Sequence, residues 1–178
     1  MINIVLYEPE MPQNTGNIMR TCVATNAKLH LIEPLGFVLN DNSLKRYGVN
    51  YLDKLNYEKY IDYEDFKSKN PGKYYFFTRY GKKDHTKFDF SNTTDDIYLI
   101  FGKESTGIPL EILKDNLDTC VRIPMSSNVR CLNVSNSVAM LNDVNPNTFE
   151  SLFIIDVKSI SSKSVTKYLP DIFTILQS

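Results

Sequence analysis

The sequence predicts an α/β protein built on a mostly parallel sheet flanked by helices. Two observations carry that prediction. Short apolar, β-branched or aromatic runs alternate with segments whose apolar residues recur at helical spacing. The polar, turn-rich segments "EPEMPQNTGN", "FGKESTGIP" and "IPMSSNVRCLN" each follow a strand-like run, and open parallel sheets bind their ligands outside the carboxyl ends of the strands.

The elements follow in order. "INIVLY" (2–7) stops at a Glu-Pro turn and reads as a buried strand. "QNTGNIMRTCVATNA" offers Asn14 as a helix cap and sets Ile18, Met19, Cys22 and Val23 on one face. "KLHLIEP" returns to strand before a Pro-Leu-Gly turn, so the chain opens as βαβ. Residues 41–70, rich in Tyr, Asp and Lys, predict short helices around a weak strand near "YEKYI". "GKYYFFT" (72–78) and "DIYLIFG" (96–102) are two more buried strands. "PLEILKDN" (109–116) begins a helix with Pro at its first position, "DTCVRIP" is the last strand, and "NVSNSVAML" the last helix.

Bulk properties narrow the function classes. At 178 residues the chain is long enough for one compact core. No apolar run approaches the roughly 20 residues a membrane span requires. "MINIVLYEPE" has no basic stretch ahead of its apolar run, so no signal peptide is expected and the expected location is cytoplasmic. Cys22, Cys120 and Cys131 form no CxxC pair, and His30 and His85 lack ligand partners at metal spacing, so neither a disulfide framework nor a metal is expected. A net charge of −1 does not announce a nucleic-acid binder. Locally, "TRYGKKDHTK" gathers Arg79, Lys82, Lys83, His85 and Lys87, and Lys45 and Arg46 lie upstream. That cluster is either a solvated loop or a phosphate-contacting rim, and composition does not choose. No GxGxxG occurs; "GKEST" is no P-loop, because Glu104 follows Lys103 and Ile97 stands where the earlier glycine is required.

Read together, "NTGNIMRTC", "LIFGKESTGIP" and "RIPMSSNVRCLNVSNSVA" resemble, in order and spacing, the three motifs of the SPOUT methyltransferases. Within that superfamily they look most like the small tRNA 2′-O-methyltransferases of wobble nucleotide 34. The resemblance covers residues 1–141. It implies an α/β fold with a C-terminal deep trefoil knot, bent S-adenosyl-L-methionine held by the knot loops, a homodimer, and a tRNA anticodon stem-loop as partner. Another RNA as substrate, or a cofactor- or RNA-binding protein without turnover, are the alternative readings.

The same resemblance assigns residues. Thr78, Gly102, Ile123, Met125, Cys131 and Leu132 fall to the cofactor, chiefly through main-chain contacts, which small or flexible residues permit. Taken alone, Gly102 would be an ordinary strand-ending turn. Glu104 falls close to the cofactor, although a lone carboxylate is more often a surface charge. Arg20 matches the arginine proposed to activate the ribose hydroxyl; by itself it reads as an exposed helix residue in a salt bridge. Deprotonating a guanidinium at pH 7 would cost roughly 9 kcal/mol, so a positioning and electrostatic role is expected of it. Asn14 and Asn133 are the residues expected to orient that arginine and the ribose.

Two departures stand out. Cys131 occupies a position where the family pattern has serine, and a thiol is the weaker donor; a nucleophilic cysteine is disfavoured, since direct displacement needs no covalent intermediate. After Leu141, "NDVNPNTFE" brings helix-stopping residues into the place of an apolar-periodic run. Residues 142–178 are therefore expected to form a divergent C-terminal segment beside a methyltransferase domain at 1–141.

Overall fold

A computed structural model describes residues 2–40, 54–88, 94–126, 128 and 131–141. The expectations for residues 41–53 and for the segment 142–178 fall outside the described residues. The strands are β1 (Ile2–Tyr7), β2 (Lys28–Ile32), β3 (Tyr57–Tyr60), β4 (Lys73–Phe77), β5 (Lys83–Asp84), β6 (Ile97–Phe101) and β7 (Cys120–Arg122). The helices are α1 (Pro12–Thr25), α2 (Tyr63–Lys69), α3 (Leu110–Lys114) and α4 (Val134–Leu141). One sheet of order β3-β2-β1-β6-β4-β7-β5 joins the strands, and every pairing in it is parallel.

Alternation along the central strands divides the core between the two faces of the sheet. Ile4, Leu6, Leu99 and Phe101 join Ile18, Met19 and Cys22 of α1 and Val138 and Leu141 of α4 in one apolar cluster. Val5, Tyr98 and Ile100 join Phe66 of α2 and Leu113 of α3 in the other. The helical face read from Ile18, Met19 and Cys22 is buried as expected.

Local corrections concern caps and ends. Asn14 does not cap α1: the cap position is Met11, with extended backbone and no side-chain bond, and Pro12 opens the helix. Asn14 sits inside the first turn instead, 5 % exposed. Pro109 is the cap of α3 and not its first residue, since its ψ of 139° is extended. The strand expected over "DTCVRIP" shortens to Cys120–Arg122, because residues Leu117–Thr119 wind as a 3-10 turn. Part of the basic stretch read as a loop, Lys83–Asp84, pairs with β7 as the edge strand. At α2, Asp62 supplies the cap, its carboxylate accepting from the Asp65 amide at 2.8 Å.

Candidate active site

The site lies where β4, β6 and β7 end, outside their carboxyl termini. Thr78, the first residue after β4, donates its amide to the Val121 carbonyl at 3.0 Å and so ties two strand ends together. Gly102 follows β6. A Cβ there would lie 2.2 Å from the Gly107 carbonyl carbon and 2.3 Å from the Ile108 nitrogen, both main-chain atoms that cannot swing aside. The loop turns back through Gly107, whose φ of 78° is left-handed and whose amide donates to Lys103 O at 2.9 Å.

These strand ends and the loop before α4 line a cavity of about 490 Å³. Asn14, Thr78, Gly102, Glu104, Ile123, Met125, Cys131, Leu132 and Asn133 all line it, so nine of the residues singled out in the sequence come together. Part of its wall is apolar, with the Phe77 and Phe101 rings stacked at 4.9 Å between centroids. Cys131 is exposed and free of any disulfide. Arg20 is the exception: it is exposed on α1, does not line the cavity, and its guanidinium donates to Asn17 Oδ1 one turn back.

A directed chain of hydrogen bonds joins the three motif loops. A carboxylate only accepts, so Asn14 must turn its amide nitrogen to Glu104, and Nδ2 donates to Oε1 at 2.9 Å. Asn14 Oδ1 is then left to accept from Asn133 Nδ2, also at 2.9 Å. Asn133 Oδ1 in turn accepts from the amide and hydroxyl of Ser135, at 2.8 and 2.6 Å, which makes Asn133 the cap of α4. Each amide orientation follows from the next, beginning at the one group that cannot donate.

A second latch lies beside the first. Glu104 Oε2 accepts from the Glu10 amide at 2.9 Å, while the Glu10 carboxylate accepts from the Ser105 amide and hydroxyl, each at 2.9 Å. Those bonds from Ser105 hold the Glu10 carboxyl below its ordinary range. Lys103 pairs with Glu8 on the same two loops. Glu10 and Ser105 were not singled out in the sequence; they lie within "EPE" and "KES", and only the meeting of those loops gives them a role. Among the described residues no group of three or more His, Cys, Asp or Glu side chains could hold a metal ion, and no helix is long and apolar enough to cross a membrane.

Comparison with known proteins agrees with this architecture. A protein of Geobacillus stearothermophilus, by name a candidate tRNA (cytidine(34)-2′-O)-methyltransferase, is 48 % identical over 141 residues, covering 79 % of this chain and 90 % of the relative. The tRNA (cytidine(34)-2′-O)-methyltransferase of Escherichia coli is 41 % identical over 144 residues, covering 79 % and 89 %. A solved structure reported for insights into the 2-OH methylation of C/U34 on tRNA superposes with a TM-score of 0.74 at 34 % identity, over 86 % of this chain and 97 % of that one. The SpoU methyltransferase AviRb of Streptomyces viridochromogenes, solved in complex with AdoMet, has a TM-score of 0.67 at 22 % identity, over 79 % and 57 %, and shares the fold. The model of the SpoU rRNA methylase family matches residues 1–142, and with the parallel sheet, the strand-end cavity and these relatives it places the chain in that family.

Proposed function

We propose that the chain is an S-adenosylmethionine-dependent tRNA 2′-O-methyltransferase acting on the ribose of wobble nucleotide 34, as the names of its relatives indicate. The observation that carries this reading is the cavity itself, in which all three motif loops meet and are locked by the Asn133–Asn14–Glu104 chain. The residues present fit the cofactor. The volume suits a small-molecule site, the apolar wall offers a face to an adenine, and the close approach of the Gly102 and Gly107–Ile108 main chains fixes the loop that borders the cavity.

When bound, S-adenosylmethionine would supply a methyl group on a sulfonium centre: the ribose oxygen would bond to the methyl carbon as the carbon–sulfur bond breaks, with S-adenosylhomocysteine as the leaving group and the hydroxyl proton released to solvent. The chain's own residues hold, orient and shield. Thr78, Gly102, Ile123 and the segment Cys131–Leu132 present main-chain groups to the cofactor, so the thiol of Cys131 stands in for a serine whose contact is made through the backbone. Met125 and Leu132, each about one-third exposed, cover the cavity on the apolar side. Asn14 and Asn133, fixed by their mutual bond, orient the ribose. Arg20 acts from outside the cavity as a fixed positive charge toward the RNA backbone. The homodimer, the C-terminal trefoil knot, the anticodon stem-loop as the bound element and a cytoplasmic location complete the proposal and rest on the family resemblance.

The test uses the purified full chain, labelled S-adenosylmethionine and tRNA lacking the modification. One methyl group per tRNA, mapped to the 2′-oxygen of nucleotide 34, is the expected result. Cofactor binding with no transfer to any tRNA would sink the enzymatic reading and favour a binding protein.

A further inference from the structure

The turn after β4 takes no part in the chain of bonds inside the cavity, yet it is among the best anchored loops around it. Thr78 is tied to Val121, the Gly81 amide donates to Thr78 O at 3.2 Å, and the Tyr80 amide donates to Thr78 Oγ1 at 3.3 Å. Gly81 is buried, and a Cβ on it would sit 2.5 Å from the Val121 carbonyl carbon and 2.8 Å from the Arg122 nitrogen. The turn is therefore pressed main chain against main chain onto β7. Its two tip residues, Arg79 and Tyr80, are nevertheless exposed, Tyr80 by 56 %, and both line the cavity.

The two side chains organise each other. The Arg79 guanidinium lies 4.8 Å from the Tyr80 ring centroid and donates to its hydroxyl at 2.6 Å. An aromatic ring held by a rigid turn, covered in part by a cation and otherwise open to solvent, is a surface for stacking a flat group. From Arg79 to Lys87 the chain carries four cations (Arg79, Lys82, Lys83, Lys87) against one anion (Asp84), and that anion is engaged by Arg122. The charge balance suits a polyanion and does not suit a basic or apolar partner, and the open ring face beside the cations favours a nucleic acid over an acidic protein surface.

We propose that Arg79 and Tyr80 form a stacking platform at the cavity mouth for an unpaired base of the RNA whose ribose enters the cavity. This rests on the reading of RNA as substrate. Stacking on an aromatic face is sequence-tolerant because every base has such a face. The platform thus holds the nucleotide without choosing its base, and the neighbouring lysines hold its phosphates.

The experiment compares the full-length wild type with Tyr80→Phe, Tyr80→Ala and Arg79→Ala, using an anticodon stem-loop RNA with 2-aminopurine at the target position or at its immediate neighbours in turn. Stacking on the ring quenches 2-aminopurine fluorescence. Wild type and Tyr80→Phe should quench at one of these positions and show similar KM for RNA. Tyr80→Ala should lose the quench and raise the RNA KM by about tenfold or more, with S-adenosylmethionine affinity and thermal midpoint unchanged; Arg79→Ala should show a smaller loss of the same kind. A folded Tyr80→Ala protein with wild-type quench and KM overturns the platform, and so does a wild type that quenches at none of the positions. Should wild type quench through Tyr80 yet transfer no methyl group, the platform stands and the enzymatic reading fails.

Discussion

Asn14→Asp replaces one atom group by another of nearly the same size and reverses its chemistry. In the native site Asn14 Nδ2 donates to Glu104 Oε1 at 2.9 Å, and Asn14 is 5 % exposed. The substitution sets two carboxylates at that distance. With an effective dielectric of about 20, two unit charges there repel by about 6 kcal/mol. A cheaper course exists, because the pair can take up one proton and restore an O–H···O bond. For a carboxyl with an ordinary value near 4.3, protonation costs about 1.4 kcal/mol per pH unit above that value, hence about 4 kcal/mol at pH 7 and about 1 kcal/mol at pH 5. The native variant then holds a proton that its unfolded chain releases, so its stability falls as pH rises. Urea unfolding of both proteins at pH 5, 6 and 7 reads this directly, and any titration common to both cancels in the difference. The expected deficit grows by about one proton's worth per pH unit across that range. A deficit that is the same at every pH, or absent at pH 7, would refute the hydrogen-bond directions assigned to Asn14.

Three further outcomes are expected. Gly102→Ala puts a methyl group 2.2 Å from the Gly107 backbone; overpacking of this kind costs about 1–3 kcal/mol, and calorimetric S-adenosylmethionine affinity should fall at least tenfold, retention of it showing that the loop does not touch the cofactor. Arg20→Ala should abolish methyl transfer while leaving cofactor affinity nearly intact, since Arg20 does not line the cavity, and unchanged turnover removes Arg20 from the mechanism. His30 is 1 % exposed, with Nδ1 facing the Tyr60 hydroxyl at 2.7 Å and Nε2 facing Asn3 Oδ1 at 3.2 Å; burial, helped by nearby Lys28, lowers its pKa to about 4. Below its unfolded value near 6.5 the unfolded chain binds a proton the native one refuses, so stability should drop by about 3 kcal/mol between pH 6.5 and 4; a His30→Gln variant should lack that component, and an identical acid profile would count against it.

Much of this protein is legible along the chain because local signals are made by neighbours. Continuous apolar runs bounded by turn residues marked β1 and β6, and the 3.6-residue repeat of Ile18, Met19 and Cys22 marked the buried face of α1. The three motif segments, by resemblance, named eight of the residues that line one cavity, and the same resemblance added Thr78 from the end of β4. The sequence could not order the sheet: runs such as "IVLY" and "IYLIF" are apolar on both faces, and their pattern does not say which strand lies beside which. Only packing set β6 between β1 and β4. Nor could it separate Asn14 as a cap from Asn14 as a buried link, since either reading suits an amide at a helix start. That choice was made by Glu104 and Asn133, 90 and 119 residues away in the chain. Arg20 lies only six positions beyond Asn14 on the same helix, yet it stays outside the cavity, because it lies on the helix's exposed face. Residue type and spacing determined which groups were available for chemistry. The tertiary structure decided which of them meet, because hydrogen bonds reach about 3 Å in space whatever the separation along the chain.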